Sequence, residues 1–205
     1  MGANQADTAY ISQLVTRARS GDREAFDGLV QVYLPQLYQV ALRITGSREE
    51  AQDCVQEAFL RAFSALGSFR GEAAFSTWLY RVAVNVANDA ARRRRREPLA
   101  ASQLAASECP DTPDVARFAR AADEAADNPQ DALVEAQRRQ LILQAIHHLP
   151  EQQRIAIVLY DLQGLSYEEI ARITRCRVGT VKSRLNRARL ALKTLLQEHM
   201  ELLRE

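Results

Sequence analysis

The sequence predicts an all-α protein, two helical domains joined by a flexible acidic linker. Three observations predict it. Apolar residues recur at helical spacing through both ends of the chain, and no segment of any length alternates with the period of two that a half-buried strand requires. Helix start and stop signals punctuate those stretches. Residues 98–131 break the pattern, with four prolines, many Ala and Ser, few large apolar side chains, and seven acidic against two basic residues. The flanking parts, 1–97 and 132–205, carry +2 and +4, so an overall charge of +1 hides a strong segregation.

In the first domain Asp22 is the expected N-cap of a helix whose Phe26, Leu29, Val30, Val32 and Tyr33 share helical spacing, with Pro35 expected to kink it or adjust a turn. Ser47, followed three residues later by Glu50, reads as a capping box opening a helix with Ala51, Val55, Ala58, Phe59 and Ala62 on one face. A Gly-punctuated loop, "GSFRGEAAFS", leads to the helix "TWLYRVAVNVANDAARRRRR". Within the linker a short helix is expected around Val115–Ala126. The second domain begins with "LVEAQRRQLILQAIHHL", which stops before Pro150. "EQQRIAIVLYDLQG" follows, with Gly164 as its C-terminal cap, and Ser166 with Glu169 forms a second capping box before a turn and a last helix.

Several function classes are excluded at this level. No nucleophile–base pair, metal-ligand cluster or Gly-rich phosphate loop is present, so no catalytic residue, metal or cofactor is expected, and no small-molecule substrate. Cys54, Cys109 and Cys176 lack CxxC or Cys/His metal spacing and read as reduced, unpaired thiols. His147 and His148, near a helix end, read as structural. No apolar run approaches the ~20 residues of a membrane span, and the N-terminus lacks a basic-then-apolar signal, so a cytoplasmic location is expected.

The last helix points to a partner. Val181, Leu185, Ala188 and Leu192 make one apolar stripe. Lys182, Asn186, Arg189 and Lys193 make a second, with Ser183 and Arg187 beside it. Between Arg172 and Lys193 stand eight basic residues and no acid. A solvated helix face normally mixes both signs for i,i+4 pairs, so a face without acids repels itself unless it meets an anion. The preceding short helix, with Ala171 ten residues before Val181, supplies helix-turn-helix spacing, although Arg175 stands where the turn glycine is usual. Lys182 and Arg187 suit phosphates or guanine edges; Ser183 and Asn186 suit base edges. The first domain adds a different chemistry. Phe69, Phe75, Trp78 and Tyr80 are interleaved with Arg70, Arg81, Asn85 and Asn88, the combination that stacks and reads unpaired bases, although Phe75, Trp78 and Val82 fit a core equally well. The five arginines from Arg92 to Arg96 exceed what a helix dipole calls for and suggest phosphate contacts.

At this point the residues resemble a family. "DCVQEAFLRAFSALGSFRGEAAFSTWLYRVAVNVANDAARR" resembles region 2 of an extracytoplasmic-function (ECF) sigma factor of the sigma-70 family. "LPEQQRIAIVLYDLQGLSYEEIARITRCRVGTVKSRLNRARLALK" resembles its region 4, with a likeness to the sigma-E-like, envelope-stress group. The resemblance implies an alternative sigma factor that binds core RNA polymerase and promoter DNA, with domains at 1–97 and 132–205 and a linker at 98–131. It implies that Asp53, Gln56, Glu57 and Phe59 meet the β′ clamp helices, with the β flap as a further polymerase contact. It implies −10 recognition and melting by Phe69, Arg70, Ser76, Tyr80, Arg81, Asn85 and Asn88. Arg177, Thr180, Lys182, Ser183, Asn186, Arg187 and Arg189 fall at −35 reading positions. The acidic linker would thread the RNA exit path, and an anti-sigma factor, often membrane-anchored in the family, would block the polymerase surface. Two rivals stand beside this reading: a stand-alone regulator using the helix-turn-helix on palindromic half-sites, and a recombinase with Tyr80 beside Arg81 as nucleophile.

Overall fold

A computed structural model describes residues 3–71, 73–96 and 141–202, and every regular element among them is helical. The expected linker helix and Cys109 lie outside the described residues. The first domain comprises α1 (Ala3–Arg19), α2 (Arg23–Thr45), α3 (Arg48–Ala65), a single 3-10 turn at Leu66–Ser68, and α4 (Phe75–Arg96). The second comprises α5 (141–148), α6 (Glu151–Ile157), α7 (Tyr167–Thr174) and α8 (Val178–Leu202).

Helices α2, α3 and α4 pack pairwise on one another, and α1 lies along α2. Leu29, Leu37, Tyr38 and Ile44 of α2 meet Val55 of α3 and Leu79 of α4 in a core from which water is excluded. Ala51, Ala58, Ala62 and Ala87, all fully buried, let the helix backbones approach closely. The helix α2 runs through Pro35 without a break. Asp22 caps it as expected, its carboxylate accepting from the Ala25 N–H at 3.1 Å.

The two expected capping boxes come out differently. At Ser166 both halves form: Glu169 N–H donates to Ser166 Oγ, and the Ser166 N–H donates to the Glu169 carboxylate at 2.8 Å. At Ser47 only the hydroxyl half forms, at 3.4 Å to Glu50 N–H. The Glu50 carboxylate turns instead to Arg94 of α4, 3.5 Å away, because a nearby cation competes with a backbone amide for it.

The helix begun at Glu151 widens into a π turn over Val158–Leu162 and ends at Gly164, whose N–H donates to the Tyr160 carbonyl with φ at +66°. The turn between α7 and α8 places Arg175 in the left-handed region, φ +51° and ψ +48°, where the motif normally has glycine. A side chain there costs about 1 kcal/mol or more. Arg175→Gly is therefore expected to raise stability by about 0.5–1 kcal/mol, and the thermal midpoint by a few degrees, in a melting curve followed by circular dichroism.

The two domains form one continuous core. Helix α7 packs on α4, and both α6 and the π turn lie against α2. At the junction the guanidinium of Arg154, only 2% exposed, donates to the carbonyls of Ile44 (2.7 Å), His147 (2.6 Å) and Leu149 (3.1 Å). It thereby satisfies carbonyls at the C-terminal ends of α2 and α5, which no helical amide can reach. His147 lies on Gly46, the left-handed cap of α2, so closely that a Cβ there would fall within 1.9 Å of its Nε2. Burial and the nearby Arg154 hold the His147 imidazole below its usual pKa, in keeping with the structural role expected for it.

Candidate nucleic-acid and polymerase interfaces

The helix-turn-helix domain builds the first surface. Val181, Leu185 and Ala188 of α8 are buried against α6 and α7, and Leu192 is partly buried. That packing turns Arg177, Thr180, Lys182, Ser183, Asn186, Arg187 and Arg189 outward, and all seven are exposed. The structure adds a support that spacing did not reveal. Tyr160 and Tyr167 stack face to face, with centroids 4.9 Å apart. The Lys182 ammonium lies over the Tyr167 ring at 5.5 Å, and the Arg189 guanidinium over Tyr160 at 5.2 Å. Arg189 also pairs with Asp161 at 2.8 Å, which makes it the one member of the set held in an ion pair among the described residues.

The loop 69–74 and α4 build the second surface, around a cavity of about 570 Å³ lined by Phe69, Arg70, Thr77, Trp78, Arg81 and, from α7, Arg172. Arg70, Arg81 and Arg172 have no carboxylate partner among the described residues. The Thr77 hydroxyl is buried at the wall without a hydrogen-bond partner. Phe69, Phe75 and Trp78 form one aromatic cluster with centroids 5.3–5.8 Å apart. Phe69 is thus largely core, whereas the half-buried Trp78 keeps a face to the cavity. Thr77 and Arg172 were missed by sequence reading: one is an ordinary helical threonine by pattern, and the other belongs to the distant domain.

The remaining −10 candidates do not converge on that cavity. Ser76 is partly exposed beside it, and Asn85 is fully exposed on α4. The Tyr80 phenol is buried, its O–H donating to Gln163 Oε1 at 2.9 Å, and burial drives its pKa well above the usual tyrosine range. A hydroxyl so enclosed is unsuited to act as the nucleophile of a recombinase. Asn88 Nδ2 donates to Glu151 Oε1 at 2.6 Å, and Arg92 grips the same carboxylate through Nη2 (2.8 Å) and Nε (3.2 Å). Burial acts to raise the Glu151 pKa, but the bonds from Arg92 and Asn88 outweigh it and hold the carboxyl below its usual value. Two arginines of the basic run, Arg92 and Arg94, are therefore engaged internally.

The third surface is α3. Its four expected residues divide between two sides. Gln56, exposed, and Phe59, buried edge-on to Phe26, line an apolar groove between α2 and α3. Asp53 and Glu57 line a polar cleft facing Arg93 and Arg94 of α4, with Glu57 paired to Arg61 at 2.7 Å. Leu60 and Phe63, 64% and 43% exposed, belong to the groove and were not singled out from the sequence. Among the described residues no cluster of metal-ligand type occurs, and no helix is long and apolar enough to cross a membrane. Cys54 is buried, its thiol pushed up to about 11, and Cys176 is free.

A basic, acid-free helix face in the second domain and an aromatic, arginine-lined cavity where that domain meets the first are surfaces with the chemistry to contact nucleic acid. Residues 29–97 match the sigma-70 region 2 family, and residues 139–192 match sigma-70 region 4. The chain is 41% identical over 190 residues to the RNA polymerase sigma-H factor of Pseudomonas aeruginosa, covering 90% of this chain and 93% of that protein. It is 42% identical over 185 residues to the ECF RNA polymerase sigma-E factor of Escherichia coli K12, again covering 90% and 93%. Among solved structures it resembles CnrH in complex with the cytosolic domain of CnrY (26% identity, TM-score 0.65, 92% of this chain and 98% of that one). It also resembles the sigma factor RpoE of Bartonella quintana in complex with the anti-sigma factor NepR (27%, TM-score 0.62, 84% and 96%). The chain belongs to the ECF sigma factors of the sigma-70 family.

Proposed function

We propose that this chain binds core RNA polymerase, brings it to promoters that carry −10 and −35 elements, and nucleates strand opening. The single observation that carries this reading is the pairing, on one chain, of an exposed acid-free face on α8, suited to a duplex, with a first-domain aromatic cavity wall bearing Arg70 and Arg81, suited to an unstacked base. In this reading residues 1–97 hold polymerase binding and −10 recognition, 132–205 hold −35 recognition, and 98–131 link them. The groove bearing Gln56, Phe59, Leu60 and Phe63, with the adjacent Asp53 and Glu57, is the docking surface for the polymerase clamp helices. Phe69, Arg70, Ser76, Tyr80, Arg81, Asn85 and Asn88 serve the −10 element, flipping costs being offset by cavity contacts. Arg177, Thr180, Lys182, Ser183, Asn186, Arg187 and Arg189 serve the −35 element.

The factor performs no covalent chemistry; its contribution is binding and positioning. It works where polymerase and chromosome are, in the cytoplasm. An anti-sigma factor is its expected antagonist, since the Bartonella quintana structure above is a complex with such a partner. An occupied α2–α3 groove would shut out polymerase. The test is run-off transcription with core polymerase, with and without the chain, on a library of promoter fragments. Transcripts that need the chain and share upstream elements are the expected result. Neither transcripts nor co-elution with core polymerase would favour a stand-alone regulator.

A further inference from the structure

We propose that Tyr167, buttressed by Tyr160, is a positioning residue for duplex recognition: its ring holds the Lys182 ammonium in place on the outward face of α8 without neutralising it. The inference rests on the reading of α8 as the −35 reader, and neither tyrosine belongs to the set of reading residues expected from the sequence.

Contact runs unbroken through four side chains. The Lys182 ammonium lies 5.5 Å from the centroid of the Tyr167 ring. That ring stacks on Tyr160, with centroids 4.9 Å apart and an interplanar angle of 10°. The Tyr160 ring in turn carries the Arg189 guanidinium at 5.2 Å. Lys182 and Arg189 stand seven residues apart on α8, about 10 Å along its axis. One stacked pair thus supports cations two turns apart. Among the described residues no ring lies under Arg177 or Arg187, the other cations of that face.

The backbone fixes both rings. Tyr160 is the central residue of the π turn Val158–Leu162, a kind of turn that inserts a residue into a helix and recurs at functional sites. Val158 and Leu159 are fully buried and anchor the turn, while Tyr160 is half-buried. Tyr167 is the first residue of α7, and the capping box of Ser166 with Glu169 holds that first turn. Between the two rings the Leu165 N–H donates to the Leu159 carbonyl at 3.1 Å. A tyrosine has few torsions to lose, so the pair is a rigid platform.

Charge separates Lys182 from Arg189. A lysine has a flexible stem, and on a face without acids its neighbours repel it. A carboxylate would order the ammonium but cancel the charge that DNA requires. Asp161 does this to Arg189, at 2.8 Å. No carboxylate among the described residues pairs with Lys182. An aromatic face attracts a cation through the ring quadrupole and leaves its charge whole. Lys182 is therefore ordered in advance and still free to meet a phosphate.

The test is a double-mutant cycle in the full chain. Binding is read by anisotropy on a fluorescein-labelled duplex carrying the −35 element of a promoter found by run-off transcription. Tyr167→Leu is expected to raise Kd roughly two- to fivefold. In a Lys182→Ala background the same substitution should change Kd by less than about 1.5-fold. Tyr167→Leu should also keep the wild-type salt slope, because the lysine still reaches its phosphate, whereas Lys182→Ala should flatten it by about one unit. Tyr167→Phe, which keeps the ring, should recover most of the affinity. The cycle repeated with Tyr160→Leu should show the same non-additivity at smaller size. Circular dichroism checks that every variant holds wild-type helicity. Losses that add in the cycle of Tyr167 with Lys182 overturn the positioning role. So does a Tyr167→Phe chain as weak as Tyr167→Leu, since the hydroxyl would then be touching DNA itself. A Lys182→Ala chain that binds the duplex like wild type would instead remove the −35 reading of this face, and the positioning role with it.

Discussion

Arg154→Ala is expected to lower the stability of the full chain by about 3 kcal/mol and to split its melting curve into two transitions. The substitution leaves the carbonyls of Ile44, His147 and Leu149 without their donor, in a place from which water is excluded. Each such orphan costs about 1–3 kcal/mol, although some recover a partner when the cavity admits water. The midpoint should fall by about 6–12 °C for a chain of this size. Splitting follows from position. The Ile44 carbonyl closes α2 in the first domain, while His147 and Leu149 belong to the second, so one guanidinium holds the end of one domain to the start of the other. Arg154→Lys should recover only part of the loss, since an ammonium on a straight stem cannot reach three carbonyls in the fork that a guanidinium spans. A wild-type melting curve for Arg154→Ala would show that the carbonyls find other donors.

Nothing in the local sequence marks that residue. An arginine within "EQQRIAIV" reads as the solvent edge of an amphipathic helix, and only the meeting of α2 with α5 makes it interior. Signals that act over a few residues were legible: the Asp22 cap, the Ser166–Glu169 box, the Gly164 stop and the α8 stripe all formed as spacing dictated. The Ser47 box formed by half, because Arg94, 47 positions from Ser47, drew Glu50 away. Aromatic pattern had no means to separate a stacking platform from a core. Phe69 and Tyr80 went to the interior, Trp78 kept one face outward, and the exposed Leu60 and Phe63 lie off the apolar face that spacing picked out. Asn88 and Tyr80 of α4 read from the sequence as base-contacting residues, but their partners in the fold, Glu151 and Gln163, lie 63 and 83 residues away, and no periodicity links positions so far apart.

On the outward face of α8, Lys182→Ala and Arg187→Ala are each expected to weaken binding to a −35 duplex by about 1–3 kcal/mol, between several-fold and a hundredfold in Kd. Both side chains are exposed and neither is in an ion pair among the described residues, so each meets DNA without first giving up a carboxylate there. Their losses should part in character. Lys182, poised over the Tyr167 ring, acts as a point charge, and its removal should flatten the salt dependence by about one unit of slope on any sequence. Arg187, with a planar fork, should also relax discrimination at one base pair if it reaches a guanine edge. Arg189→Ala should cost less than either, because the Asp161 pair and the Tyr160 ring compete for its charge. Asn85→Ala, exposed on α4, should leave duplex binding intact and impair strand opening in a permanganate footprint with core polymerase. A loss of −35 affinity from Asn85→Ala equal to that from Lys182→Ala would end the assignment of opening to one domain and duplex reading to the other. The fall in affinity must therefore be measured on the isolated duplex and on the opened promoter, since only the ratio of the two separates a reader of paired bases from a reader of unpaired ones.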